Sequence, residues 1–163
     1  MLPAAFSGTE YCSQIAREKG RMVNLHAMAS KDPQLTLLDR GYKRGNFGVV
    51  GPDRSELFTI RAEGGMLRSR HSLFQNESPI WRLSVRSILR RRHELQFMSG
   101  ETWSLQTPFF SVFFGGTAQD ESRLLGRVGR STEEWFFLVE PGKETMELLA
   151  AIAFLHCQWY FRS

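Results

Sequence analysis

Apolar and polar residues alternate in short runs along most of this chain, and Gly, Pro, Asn and Asp separate the runs. The stretch 80–86 shows the pattern most plainly. Ile80, Arg82, Ser84 and Arg86 fall on one side of an extended strand, and Trp81, Leu83 and Val85 fall on the other. By the same reading, strands are predicted over 22–29, 34–38, 47–50, 57–61, 66–74, 80–86, 93–98, 102–106, 109–114, 122–128 and 134–139. Turn chemistry lies between them at Lys31-Asp32-Pro33, Gly51-Pro52-Asp53-Arg54-Ser55, Gly64-Gly65, Gln75-Asn76-Glu77-Ser78-Pro79 and Ser99-Gly100-Glu101. About eleven strands at roughly 8–12-residue spacing imply an all-β sandwich or barrel. No sequence repeat of fixed period is present, which argues against a propeller. Residues 1–21 carry no sustained period of 2 or 3.6 and are expected to be a loosely ordered leader, leaving 22–163 as one domain.

The end of the chain breaks this rhythm. Pro141-Gly142 stops the last strand, and Glu144 and Glu147 sit where the dipole of a new helix favours acids. From Leu148 to Leu155 every residue is apolar. A surface helix would show a polar stripe, so a helix over 144–160 is expected to be covered on all sides. It is far shorter than the roughly 20 apolar residues needed to span a bilayer. The simplest container is a closed β-barrel of about twelve strands, wide enough to hold a helix.

The 163 residues include 42% apolar and 12% aromatic side chains, a composition for one globular domain rather than a disordered chain. Cys12 and Cys157 cannot build a disulfide scaffold or a four-ligand zinc site. The N-terminus has no basic and apolar signal regions, so a cytoplasmic location with free thiols is expected. The net charge is +4, but residues 61–92 alone carry eight Arg against Glu63 and Glu77, a local +6. Seventeen of the 21 basic residues are Arg, whose planar fork suits phosphate and carboxylate.

The tandem hairpins, with strands such as Leu57-Phe58-Thr59-Ile60-Arg61 and Ile80-Trp81-Arg82-Leu83-Ser84-Val85-Arg86, lead to the apolar stretch Glu147-Leu148-Leu149-Ala150-Ala151-Ile152-Ala153-Phe154. In this order of elements, over about residues 40–160, the chain resembles the tubby C-terminal-like superfamily. Its LURP-one-related branch, to which phospholipid scramblases are related, is the nearest in pattern. The resemblance implies a twelve-stranded barrel around a central hydrophobic helix. It also implies phosphoinositide binding through basic residues and peripheral attachment to the plasma membrane, or a regulatory, defence-related role. It does not imply scramblase activity: the chain has no EF-hand-like acidic loop, no Cys-rich palmitoylation segment and no further spanning helix.

Alternate residues of a strand share a face, so Arg82 and Arg86 are expected to project together. Arg68 and Arg70, on a preceding antiparallel strand, are expected to lie beside them, with Arg90, Arg91 and Arg92 at the turn that follows. These seven arginines are the candidate site for anionic lipid headgroups. A solvated barrel exterior is the competing account of the same pattern. Nucleic acid fits less well, and a protein partner on a structural barrel is the alternative function. A monomer without cofactor or metal is expected.

Catalytic signals are thin, with no Gly-x-Ser-x-Gly elbow, no His-Glu-x-x-His and no phosphate-binding loop, so an enzyme is not expected. The runs Phe109-Phe110-Ser111-Val112-Phe113-Phe114 and Trp135-Phe136-Phe137-Leu138-Val139 read as strands packed on both faces. Trp159-Tyr160-Phe161 reads as a plug over the helix end, with an anchor at a membrane interface as the alternative. His156 lies where a protonated imidazole would complement the helix C-terminus, and Cys157 reads as a small buried hydrophobe.

Overall fold

The computed structural model describes residues 8–41, 45–63, 70–87, 92–106, 112–117, 120–129 and 131–162. They form twelve strands followed by one helix. The strands are β1 (Thr9–Ile15), β2 (Arg21–Ala27), β3 (Leu35–Asp39), β4 (Phe47–Val50), β5 (Glu56–Glu63), β6 (Arg70–Gln75), β7 (Ser78–Ser87), β8 (Arg92–Phe97), β9 (Thr102–Gln106), β10 (Val112–Thr117), β11 (Asp120–Val128) and β12 (Glu134–Val139). The helix α1 covers Met146–Arg162. The chain is therefore all-β with one C-terminal helix, on a single antiparallel sheet.

Each strand from β2 to β12 pairs with its neighbours in sequence, the arrangement that short hairpin turns impose. The first strand has two partners that lie far apart in the chain. Tyr11 faces Phe137 of β12 on one side and Ala27 of β2 on the other. The strand over residues 9–15 is a correction to the expected loose leader. Its inward side carries Tyr11 and Ser13, and Cys12 is buried beside them. A strand of mixed small and polar residues, flanked on both sides by ladders, needs no strong hydrophobic alternation of its own to be held in place.

Alternation decides which side of the sheet meets the helix. In β12, Trp135, Phe137 and Val139 are buried while Phe136 and Leu138 are half-buried, so this strand is less completely covered on its outer face than its unbroken apolar run implies. In β7, Trp81 and Leu83 are buried, and Arg82, Ser84 and Arg86 lie on the other side, as predicted. Phe109 and Phe110 lie outside the described residues.

The helix occupies the interior. Every residue from Leu148 to Leu155 is at most 5% exposed. Phe154 meets Phe47 edge-on at 5.3 Å and His71 at 4.6 Å. Thr145 caps the first turn, its Oγ1 accepting from the Leu148 amide at 3.2 Å. One end of the helix is fixed by the Trp81 indole, which donates to the Glu147 carbonyl at 2.8 Å. At the other end Trp159 packs on Trp135 at 5.4 Å and the Tyr160 hydroxyl donates to Glu133. Two of the three terminal aromatics therefore cover the helix end, while Phe161 is exposed.

Candidate functional site

The predicted arginine face lies on β5 to β8. Antiparallel register places Ser84 of β7 opposite Arg70 of β6 on one side and opposite Glu94 of β8 on the other. Arg70 thus sits across from the gap between Arg82 and Arg86, as alternation requires. Arg82 in turn faces Ser72 and Gln96. The sheet brings Arg70, Arg82 and Arg86 to one outer surface. Arg92, paired with Gln106 of β9, stands exposed at the start of β8. Arg68, Arg90 and Arg91 lie outside the described residues.

The same register brings acids to that surface. The Arg82 Nε donates to Glu63 at 3.1 Å. Arg86 grips Glu94 with two bonds, from Nε at 3.1 Å and Nη2 at 2.6 Å, and the bonds and charge of Glu94 hold the guanidinium above its ordinary pKa. Arg61 donates to Glu77 at 3.3 Å and lies 4.0 Å over the Phe74 ring. The exterior of these strands is therefore a lattice of opposite charges, with Arg70 and Arg92 the members of the predicted set that form no ion pair among the described residues, although Glu63 lies directly across from Arg70 in the β5–β6 ladder. Glu94 is the residue that sequence reasoning missed. It falls just past the run of arginines, and only the β7–β8 hairpin folds it back against Arg86.

A second polar group lies inside the fold. Ser13 of β1 and His156 of α1 are both fully buried and 2.8 Å apart, Oγ to Nδ1. The imidazole Nε2 lies 3.1 Å from the Thr132 carbonyl. A carbonyl only accepts, so Nε2 carries the proton and Nδ1 accepts from the Ser13 hydroxyl. Burial pushes the His156 pKa down to about 4, against the smaller upward pull of the Thr132 carbonyl. The protonated imidazole expected from the helix dipole is thus corrected: desolvation outweighs the dipole, and the ring is neutral and stacked on Trp135 at 4.6 Å. A serine on a histidine is the arrangement of an activated nucleophile. Here both side chains are sealed from solvent and the base is very weak, so the pair is a fastening between strand and helix.

Cys12 and Cys157 are buried and are not joined in a disulfide. Among the described residues no group of three or more His, Cys, Asp and Glu is placed to hold a metal ion. No helix is long and apolar enough to cross a membrane. Comparison of the chain with protein-family models, with curated proteins and with solved structures finds no match.

Proposed function

We propose that this chain is a non-enzymatic binding module that docks reversibly onto anionic phospholipid headgroups, phosphoinositides included, through the outer face of β6 to β8. The observation that carries this reading is the register that sets Arg70 across from the space between Arg82 and Arg86, with Arg70 and Arg92 exposed and in no ion pair among the described residues, the Glu63 carboxylate opposite Arg70 being turned to Arg82. A phosphate would meet those two guanidinium groups first. Arg82 and Arg86, at 40% and 61% side-chain exposure, are surface ion pairs that exchange a carboxylate for a phosphate at small cost. Arg68, Arg90 and Arg91 complete the set by sequence. The scaffold of this reading is a closed, tubby-like barrel around α1. The two ladders of β1 and the burial of the helix support it. The module acts as a monomer at the cytoplasmic surface of a membrane and uses no cofactor.

A protein partner on the same face is the second reading. It is favoured by the alternation of Arg82 with Glu63 and of Arg86 with Glu94, which offers both signs of charge to a complementary surface. Vesicle co-sedimentation separates the two. Phosphatidylcholine, phosphatidylserine and phosphoinositide vesicles are compared at low and at physiological salt. Headgroup docking predicts sedimentation with phosphoinositide vesicles that survives physiological salt and is lost in an Arg70→Glu, Arg92→Glu variant with unchanged circular dichroism. Binding that vanishes as salt rises means a diffuse basic surface. Absence of binding at either salt rejects lipid docking and leaves the protein partner.

A further inference from the structure

Successive strands run antiparallel, so the segments that join them alternate between two ends of the fold. At one end lie the joins β1–β2, β3–β4, β5–β6, β7–β8, β9–β10 and β11–β12. The bonds of His156 to Thr132 and of Tyr160 to Glu133 bring the end of α1 there as well. By sequence these six segments hold nine Lys and Arg against two acids, Glu18 and Glu133. Both acids are engaged, Glu18 by Arg21 at 3.0 Å and Glu133 by Arg17. The joins at the opposite end, with the segment that leads into α1, hold six acids against Lys31, Arg54 and Lys143. Charges within the strands and the helix cancel, so the net +4 is the difference between a basic end and an acidic one.

The arginine face reaches the basic end. Arg70 opens β6, Arg92 opens β8, and Arg86 is the last residue but one of β7. An apolar group stands on the same side. Phe161 lies two helical turns beyond Phe154, so it shares the side of α1 on which Phe154 packs against Phe47 and His71. His71 follows Arg70 in β6, and Phe161 is carried about 10 Å farther along the helix axis than Phe154, past the start of that strand. Its ring meets the edge of Tyr160 and is 44% exposed. Met28 and Met98 are exposed to a similar extent, but they lie at the acidic end, which an anionic surface repels.

We infer that the protein stands end-on upon an anionic bilayer, with the basic end against the membrane, Phe161 inserted among the headgroups and the acidic end pointing away. This rests on the reading of the arginine face as a lipid surface, and it fixes which edge of that face makes contact. The separated charges orient the molecule before it touches the membrane. On contact, Arg70, Arg86 and Arg92 reach headgroup phosphates while the exposed half of the Phe161 ring leaves water. Glu63 and Glu94, already engaged by Arg82 and Arg86, temper the attraction and keep it reversible. Nucleic acid is drawn by the same charge but has no acyl layer to take up a phenyl ring.

Two single-cysteine variants test the pose, Phe161→Cys at the basic end and Ser99→Cys at the acidic end, each labelled with the polarity-sensitive fluorophore nitrobenzoxadiazole. Cys12 and Cys157 are 2% exposed and stay unlabelled. Vesicles of phosphatidylcholine and phosphoinositide are added at physiological salt, and sedimentation of the unmodified protein is measured alongside. The label at position 161 is expected to brighten and shift to the blue, and the label at position 99 to stay unchanged. Phe161→Ala is expected to sediment about tenfold more weakly, and Phe161→Leu nearly as well as the unmodified protein. Loss of sedimentation on labelling position 161, with labelling at 99 harmless, also assigns the contact to this end. The end-on pose is overturned if the unmodified protein sediments while the label at 161 does not respond, if both labels respond alike, or if Phe161→Ala binds unchanged; the arginine face then still binds lipid. If the unmodified protein does not sediment at all, lipid docking and the pose fall together.

Discussion

Ser13 donates its hydroxyl proton to His156 across 143 positions of sequence, joining the first strand to the helix that follows the last. Together with the bond from His156 to the Thr132 carbonyl, it holds α1 to both β1 and the turn before β12. The corresponding fastening at the start of the helix is the Trp81 indole on the Glu147 carbonyl. An apolar helix inside an apolar sheet could slide or rotate with little change in buried area. These directional bonds fix its depth and its rotation.

The buried imidazole makes stability depend on pH. In the unfolded chain it takes a proton below about pH 6.5, and in the folded protein only near pH 4. Its contribution is therefore complete above pH 6.5 and is lost as the pH falls toward 4, by about 3 kcal/mol in total. Denaturant melts of the unmodified protein are expected to weaken over that window. In His156→Gln, which cannot titrate, stability is lower at pH 7 and the slope is shallower. Parallel slopes between pH 7 and pH 4 would remove His156 as the cause.

Ser13→Ala takes away the donor and leaves Nδ1 of His156 buried and unmet. A loss of about 1–3 kcal/mol is expected. Ser13→Cys, close in shape and a weak donor, is expected to recover part of it. The same denaturant melts measure both, and a neutral Ser13→Ala would mean that the hydroxyl contributes nothing to the fastening.

The interior helix tolerates neither charge nor voids. Ala151 is 0% exposed, so Ala151→Asp buries a carboxylate with no partner and is expected to yield no soluble folded protein. Phe154→Ala deletes the ring between Phe47 and His71 and is expected to cost about 3–5 kcal/mol. A soluble Ala151→Asp protein with native circular dichroism would contradict the buried position of α1.

Removing residues 1–15 strips β1 from its place between β2 and β12. Two strands then present unpaired backbone edges, the template for association between chains. Light scattering of the truncated protein is expected to show concentration-dependent oligomers. A truncated protein that stays monomeric at the stability of the whole chain would show that β1 is dispensable.

Strand alternation was the strongest signal in the sequence. β4, β9 and β12 fall where the pattern puts them, to the residue. The helix was legible because an unbroken apolar run after Pro141-Gly142 has no place on a surface. β1 was not, because Thr9, Ser13 and Gln14 give its alternation no contrast; what holds it is two ladders formed with distant strands. The arginines could be placed on one face from their spacing, but their ion pairs could not. Glu63 and Glu94 reach Arg82 and Arg86 through register, and register depends on turns and bulges such as the one between Val85 and Ser87. The Ser13–His156 bond left no mark in the sequence, since it depends on how far the helix is inserted.

The order of elements also sets when the protein can fold during its synthesis. Strands β2 to β12 emerge from the ribosome one hairpin at a time, each with an apolar side facing what will become the interior. The helix that fills that interior is made after all of them. Until it arrives, the growing chain has a lining but nothing to pack against, and β1 waits for a partner 120 or so positions away. Folding is therefore delayed until α1 has been made, and the nascent chain is a natural client for chaperones that shield exposed strands.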